Sequence, residues 1–158
     1  MKDSSQINRT DFFKNSLIVG FNDHLLCGEG WHERAVDGRF NFPYRPASSN
    51  ARFKLILPGG AIDLHALISA GVTQSGGIMS GKITAENGQS RKFQIDTENW
   101  IIRKFTFTNL SKGACHFKLI TDNPFIPDSL LKNGDFREMG IYLARIRIEP
   151  AESGGKAS

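Results

Sequence analysis

Cysteine is scarce in this chain. Cys27 and Cys115 stand far apart, with no C-x-x-C spacing and no cluster of histidine and cysteine around either. That excludes a disulfide framework as the basis of folding and argues against a structural zinc site. A single disulfide between them is the alternative to the expected pair of buried free thiols in a reducing compartment. Long apolar runs are also missing. No stretch approaches the roughly 18 residues of a membrane-spanning helix, and Met1-Lys2-Asp3-Ser4-Ser5-Gln6 has no apolar signal-peptide core. A cytoplasmic protein, or a fragment of a larger one, is expected. Charge of one sign is not in excess: 20 basic residues face 16 acidic ones, a net of +4. Nucleic-acid binding wants a stronger imbalance, so it is not expected. Catalytic signatures are absent too. There is no G-x-S-x-G, no P-loop and no dinucleotide-binding glycine fingerprint. The glycine-rich stretch 71–81 precedes no helical pattern and reads as a loop. His24, His32, His65 and His116 have no metal-binding spacing, and His65 and His116 alternate with apolar residues as solvent-facing strand positions do.

What the chain has is alternation. With 158 residues and 39% apolar content it is long enough for one domain with a genuine core. Residues 16–21, 51–57, 62–70, 78–85, 91–95, 100–108, 114–121 and 141–149 repeat with a period near two, separated by turn chemistry such as Glu86-Asn87-Gly88. In the last run Tyr142, Ala144, Ile146 and Ile148 are expected on one face, and Ile141, Leu143, Arg145 and Arg147 on the other. Such a series of short strands predicts an all-β fold: an antiparallel two-sheet β-sandwich, jelly-roll-like. The sandwich is placed at 15–150, between a flexible N-terminal segment, 1–14, and a flexible tail, 151–158. One helical turn is expected after Pro127, over 128–132.

Two polar motifs flank the strand pattern. The first is Gly30-Trp31-His32-Glu33 followed by Gly38-Arg39-Phe40; the second is Gly134-Asp135-Phe136-Arg137-Glu138-Met139-Gly140-Ile141. With Leu57-Pro58, Phe125 and Pro127 between them, this order resembles the β-sandwich modules that accompany bacterial polysaccharide-assembly glycosyltransferases and look like carbohydrate-binding modules. The resemblance spans roughly residues 15–149. It implies a non-catalytic module that recognises a bacterial glycan or polysaccharide precursor, with a glycosyltransferase as a possible partner. The alternative is a protein-interaction module that docks onto a glycosyltransferase or self-associates as a homo-oligomer.

The candidate ligand-binding residues are Trp31, Glu33, Arg39, Phe42, Tyr44, Asp135 and Arg137. Glu33 and Arg137 admit two readings: a charge-assisted clasp between the first and last parts of the sandwich, or a two-point site for sugar hydroxyls. Asp135 divides in the same way, between a turn cap and a ligand contact. If residues 39–45 are extended, Phe40, Phe42 and Tyr44 project to one side, flanked by Arg39 and Arg45; Pro43 favours an edge strand. Such rings either fill the core edge or offer a stacking surface. Trp100 precedes Ile101 and Ile102 and is expected in the core, while Trp31 is evenly divided between core and surface. No cofactor is expected. Asp122, Asn123, Asp128 and Asp135 are oxygen donors of the type calcium takes, though their spacing matches no known loop. Glu29 and Glu33 form the sole candidate acid–base pair.

Overall fold

The computed structural model describes residues 16–22, 25–26, 30–39, 41–70, 78–95, 99–124, 134 and 137–151. They form ten strands: β1 (Ser16–Ile18), β2 (Ala35–Asp37), β3 (Phe42–Pro46), β4 (Asn50–Leu57), β5 (Gly60–Ser69), β6 (Met79–Ala85), β7 (Ser90–Ile95), β8 (Ile101–Leu110), β9 (Gly113–Thr121) and β10 (Tyr142–Pro150). The larger sheet has six strands in the order β2-β3-β10-β5-β8, with β1 paired to β10; the smaller has four, in the order β4-β9-β6-β7. Neighbouring strands in both are antiparallel. The expected two-sheet, jelly-roll-like β-sandwich is therefore present.

Alternation builds the core. In β4 the inward residues Ala51, Phe53, Leu55 and Leu57 are buried, and β5, β6 and β9 repeat the pattern. Each buried large side chain contributes roughly 1.5–3 kcal/mol. Where the sheets meet, Phe117 lies parallel to Phe53 of its own sheet at 5.1 Å and edge-on to Phe107 of the other sheet at 5.5 Å. The expected tight turn joins β6 to β7. Gly88 has φ +97, and its N–H bonds the Ala85 carbonyl at 2.9 Å, closing a loop that a side chain would strain.

Two features depart from the sequence reading. β2 and β3 form a hairpin that the alternation did not single out as a strand pair. Its turn ends at Asn41, which adopts φ +59 and donates its N–H to the Asp37 carbonyl at 2.6 Å; asparagine tolerates this left-handed conformation better than most residues. The second concerns β10. The expected facing of Tyr142 with Ile146 and Ile148 is incorrect, because the register against β5 shifts between Leu143 and Arg145. This bulge inserts one residue, so Leu143, Ile146 and Ile148 all point inward although they differ in parity. Tyr142 is thereby placed on the outward face.

The expected helical turn at 128–132 and Cys27 lie outside the described residues. Cys115 is a buried free thiol. No helix among the described residues is long and apolar enough to cross a membrane.

Candidate functional site

The bulge in β10 and the edge position of β3 together assemble an aromatic cluster. Tyr142 pairs with Pro46 of β3 and with Ser69 of β5. Trp100, just before β8, follows the outward parity of Ile102, which is 57% exposed. On this outer face of the larger sheet, Tyr44 stacks on Tyr142 with centroids 4.9 Å apart and planes at 21°. Trp100 meets Tyr44 edge-on at 5.3 Å and Phe42 edge-on at 5.1 Å. All of these rings are half-buried. Edge-to-face and offset-stacked contacts are the geometries aromatic quadrupoles favour.

Asp37 fixes the cluster to the edge hairpin. Its Oδ2 accepts the Trp100 indole N–H at 2.6 Å. Its Oδ1 accepts the Arg39 backbone N–H at 2.8 Å, and Arg39 Nη2 donates to Oδ2 at 3.1 Å. These donors, with the Arg39 side chain the largest influence and Trp100 next, hold the Asp37 carboxyl well below the usual carboxylate range against the opposing effect of burial. A carboxylate so occupied is an anchor for the indole and is not available as a general acid or base. Burial, followed by the nearby Asp37 charge, pushes the Tyr44 phenol above its ordinary 10.0, so Tyr44 is neutral and able to donate at neutral pH.

A second group of residues straps the first motif onto the sandwich. Gly30 sits at φ +105, where a Cβ would press on the Asn50 carbonyl at 2.5 Å. Trp31 packs against the core, bridges Ala47, and donates its indole N–H to the Arg52 carbonyl at 2.7 Å. The His32 N–H bonds the Pro46 carbonyl, and Arg45 Nη1 donates to the His32 carbonyl at 3.0 Å. His32 Nε2 lies 2.7 Å from the Glu138 carbonyl. The two motifs thus do meet, through His32 and the Glu138 backbone. Glu33 and Arg137 are both exposed beside this junction.

The structure brings Arg39, Phe42 and Tyr44 together around Trp100. Trp31 belongs to the strap, with its N–H already used. Asp135, Phe40 and Glu29 lie outside the described residues. Of the proposed calcium donors, Asp128 and Asp135 also lie outside them. Asn123 is committed to β6, accepting the Ser80 N–H at 3.0 Å and donating to the Ile78 carbonyl at 2.7 Å. Asp37 and Tyr142 were missed as site residues, and Trp100 is a half-buried surface ring where a core position was expected. The parity of Trp100 with the outward Ile102, Lys104 and Thr106 carried the signal for its side.

No protein-family model matches the sequence, and no curated protein does. Solved structures do match in fold. A family 35 carbohydrate-binding module from Clostridium thermocellum is 13% identical, with a TM-score of 0.54 over 85% of this chain and 97% of the module. The family 6 module CBM6cm-2 of Cellvibrio mixtus lichenase 5A, solved with cellotriose, is 14% identical, with a TM-score of 0.51 over 87% of this chain and 98% of that one. An exo-β-1,3-galactanase from Phanerochaete chrysosporium is 11% identical at a TM-score of 0.56, but the chain covers 29% of that enzyme, and it covers 17% of a GH115 4-O-methyl-α-glucuronidase. The chain shares its β-sandwich with carbohydrate-binding modules. It corresponds in length to those modules and to a minor part of the enzymes.

Proposed function

We propose that the protein is a non-catalytic glycan-binding module whose aromatic cluster on the larger sheet contacts sugar. The observation that carries this reading is the half-buried set Phe42, Tyr44, Trp100 and Tyr142 on the outward face of the sheet, with Trp100 anchored by Asp37. A pyranose presents C–H groups to an aromatic face and hydroxyls at its rim. The Tyr44 hydroxyl supplies a donor beside the rings, next to the Asp37-bound Arg39. Carbohydrate-binding modules with the same fold support it. The ligand we assign is a bacterial glycan or polysaccharide precursor, a source supported by the likeness of the two polar motifs to glycosyltransferase-associated modules.

A glycan-array screen of the protein, repeated with Tyr44→Ala and Tyr44→Phe, tests this. The expected result is a binding signal that Tyr44→Ala abolishes and Tyr44→Phe keeps in part, with cooperative melting in each variant. A blank array, or a signal on uncharged glycans that Tyr44→Ala leaves unchanged, overturns it. Docking of a protein partner is favoured by one observation, the 57% exposure of Ile102 on the same face as the rings. A blank array together with Ile102-dependent association would turn the assignment that way.

A further inference from the structure

The outer face of the smaller sheet carries an uncompensated cluster of cations. Arg52 and Lys54 project from β4, Lys118 from β9 and Lys82 from β6, each at an outward position between buried residues, and the exposed Lys92 of β7 lies on the same face. The register sets like charges side by side. Arg52 lies directly opposite Lys118, and Lys82 directly opposite Lys92. Like charges in such cross-strand positions destabilise a sheet. Among the described residues no carboxylate pairs with any of these cations. Two carboxylates lie at their edges. Asp122 accepts from the Ser80 hydroxyl at 3.5 Å, and Glu86 is taken by His116: its Oε1 accepts the His116 backbone N–H at 2.6 Å and lies 3.5 Å from Nδ1.

The larger sheet shows the contrast. There Arg147 lies 3.2 Å from Glu149, and His65 lies 2.9 Å from the same carboxylate. The smaller sheet keeps its repulsion, and a depression of about 390 Å³, lined by Arg52, Thr84, Glu86, His116 and Lys118, opens within the charged rows.

We infer that this face binds an acidic polysaccharide, a chain bearing repeated carboxylate or sulfate groups. Charge complementarity selects a polyanion, because a row of anions relieves the repulsion that folding builds in. The neighbouring groups select sugar over nucleic acid. Thr84 and Ser90, hydrogen-bonded to each other at 2.7 Å, lie beside the cations and suit hydroxyl-rich ligands. The aromatics of this sheet, Phe53, Phe93 and Phe117, are buried inward and offer no stacking surface to the unpaired bases of a single strand; comparison with duplex DNA separates sugar from a phosphate backbone. The site stands apart from the aromatic cluster and does not depend on it.

The test titrates the protein with polygalacturonate and with dextran sulfate, using uncharged dextran and duplex DNA for comparison, at low and raised salt. Binding to at least one of the two acidic polysaccharides is expected, weakening as salt rises. Polygalacturonate binding assigns carboxylate recognition, dextran sulfate binding assigns sulfate. The double variant Arg52→Glu, Lys118→Glu should lose affinity by about tenfold or more, while the charge reversal Lys104→Glu, exposed on the larger sheet, should retain it. Arg52→Glu alone should weaken binding and at the same time raise the melting temperature, because it turns a repulsive cross-strand pair into an attractive one. A purely structural role would not produce that opposition. The inference fails if both polyanions bind no better than dextran, if charge reversal leaves affinity unchanged, or if duplex DNA binds as tightly as the polysaccharides.

Discussion

The Tyr44–Tyr142 stack offers the sharpest energetic test of the aromatic site. Replacing Tyr44 by alanine removes the stack on Tyr142 and the edge contact with Trp100. Each such ring pair is worth about 0.5–1.5 kcal/mol beyond burial. The side chain is only half-buried, so the transfer contribution is about 1 kcal/mol. Tyr44→Ala should therefore destabilise the fold by roughly 2–4 kcal/mol. Tyr142→Ala, losing this stack and part of its own burial, should destabilise it by roughly 1–2.5 kcal/mol on the same reckoning. The informative quantity is their coupling. In a double-mutant cycle read by urea denaturation, the two changes should fall short of additivity by about 0.5–1.5 kcal/mol, with unchanged m-values. Coupling within about 0.3 kcal/mol of zero, the scatter expected of independent sites, would refute the idea that these rings act as one pre-formed surface.

Two further outcomes follow from single residues. Because the folded-state pKa of Asp37 is depressed, the stability its ionised form contributes is fully present above the ordinary value of 3.8 and is lost only as pH falls below it. The Trp100 indole N–H resonance, followed by NMR, should hold its position from neutral pH down to about pH 4.5; a titration step in that range would contradict the anchor. In the smaller sheet, a Cβ at Gly81 would drive into the Ile120 carbonyl and approach Phe93 Cζ at 2.8 Å. Gly81→Ala should thus lower stability by about 1–3 kcal/mol in a thermal melt, and a wild-type melting temperature would show that the strands can part there without penalty.

Much of this architecture could be read from spacing. The inward Phe53, Leu55 and Leu57 of β4, and Cys115, Phe117 and Leu119 of β9, alternate without interruption, so their period declares both strand and face. Tyr142 could not be placed this way. One inserted residue reverses the parity of everything on one side of it, and a bulge leaves no compositional mark. The β2–β3 hairpin was obscured because β2 is three residues long and Pro43 breaks the strand pattern of β3. Of the site, Phe42, Tyr44 and Arg39 were legible as a run. Their partners were not, since Asp37 and Trp100 are 63 positions apart and meet through the ladder of the larger sheet. The charge opposition on the smaller sheet is likewise a matter of register: Arg52 and Lys118 look like ordinary surface residues until β4 and β9 are aligned.

The place of β10 bears on how this molecule is made. One edge of β10 holds β5; the other holds β1 and β3, laid end to end along it. During synthesis the strand that gathers the earliest segments into a sheet is the one to leave the ribosome after all of them. Until it arrives, Leu17 and the β2–β3 hairpin have no seat, and the aromatic surface lacks the tyrosine that completes it. Closure over such long stretches of chain is slow, and the nascent protein meets that interval with unpaired edges open to whatever lies near.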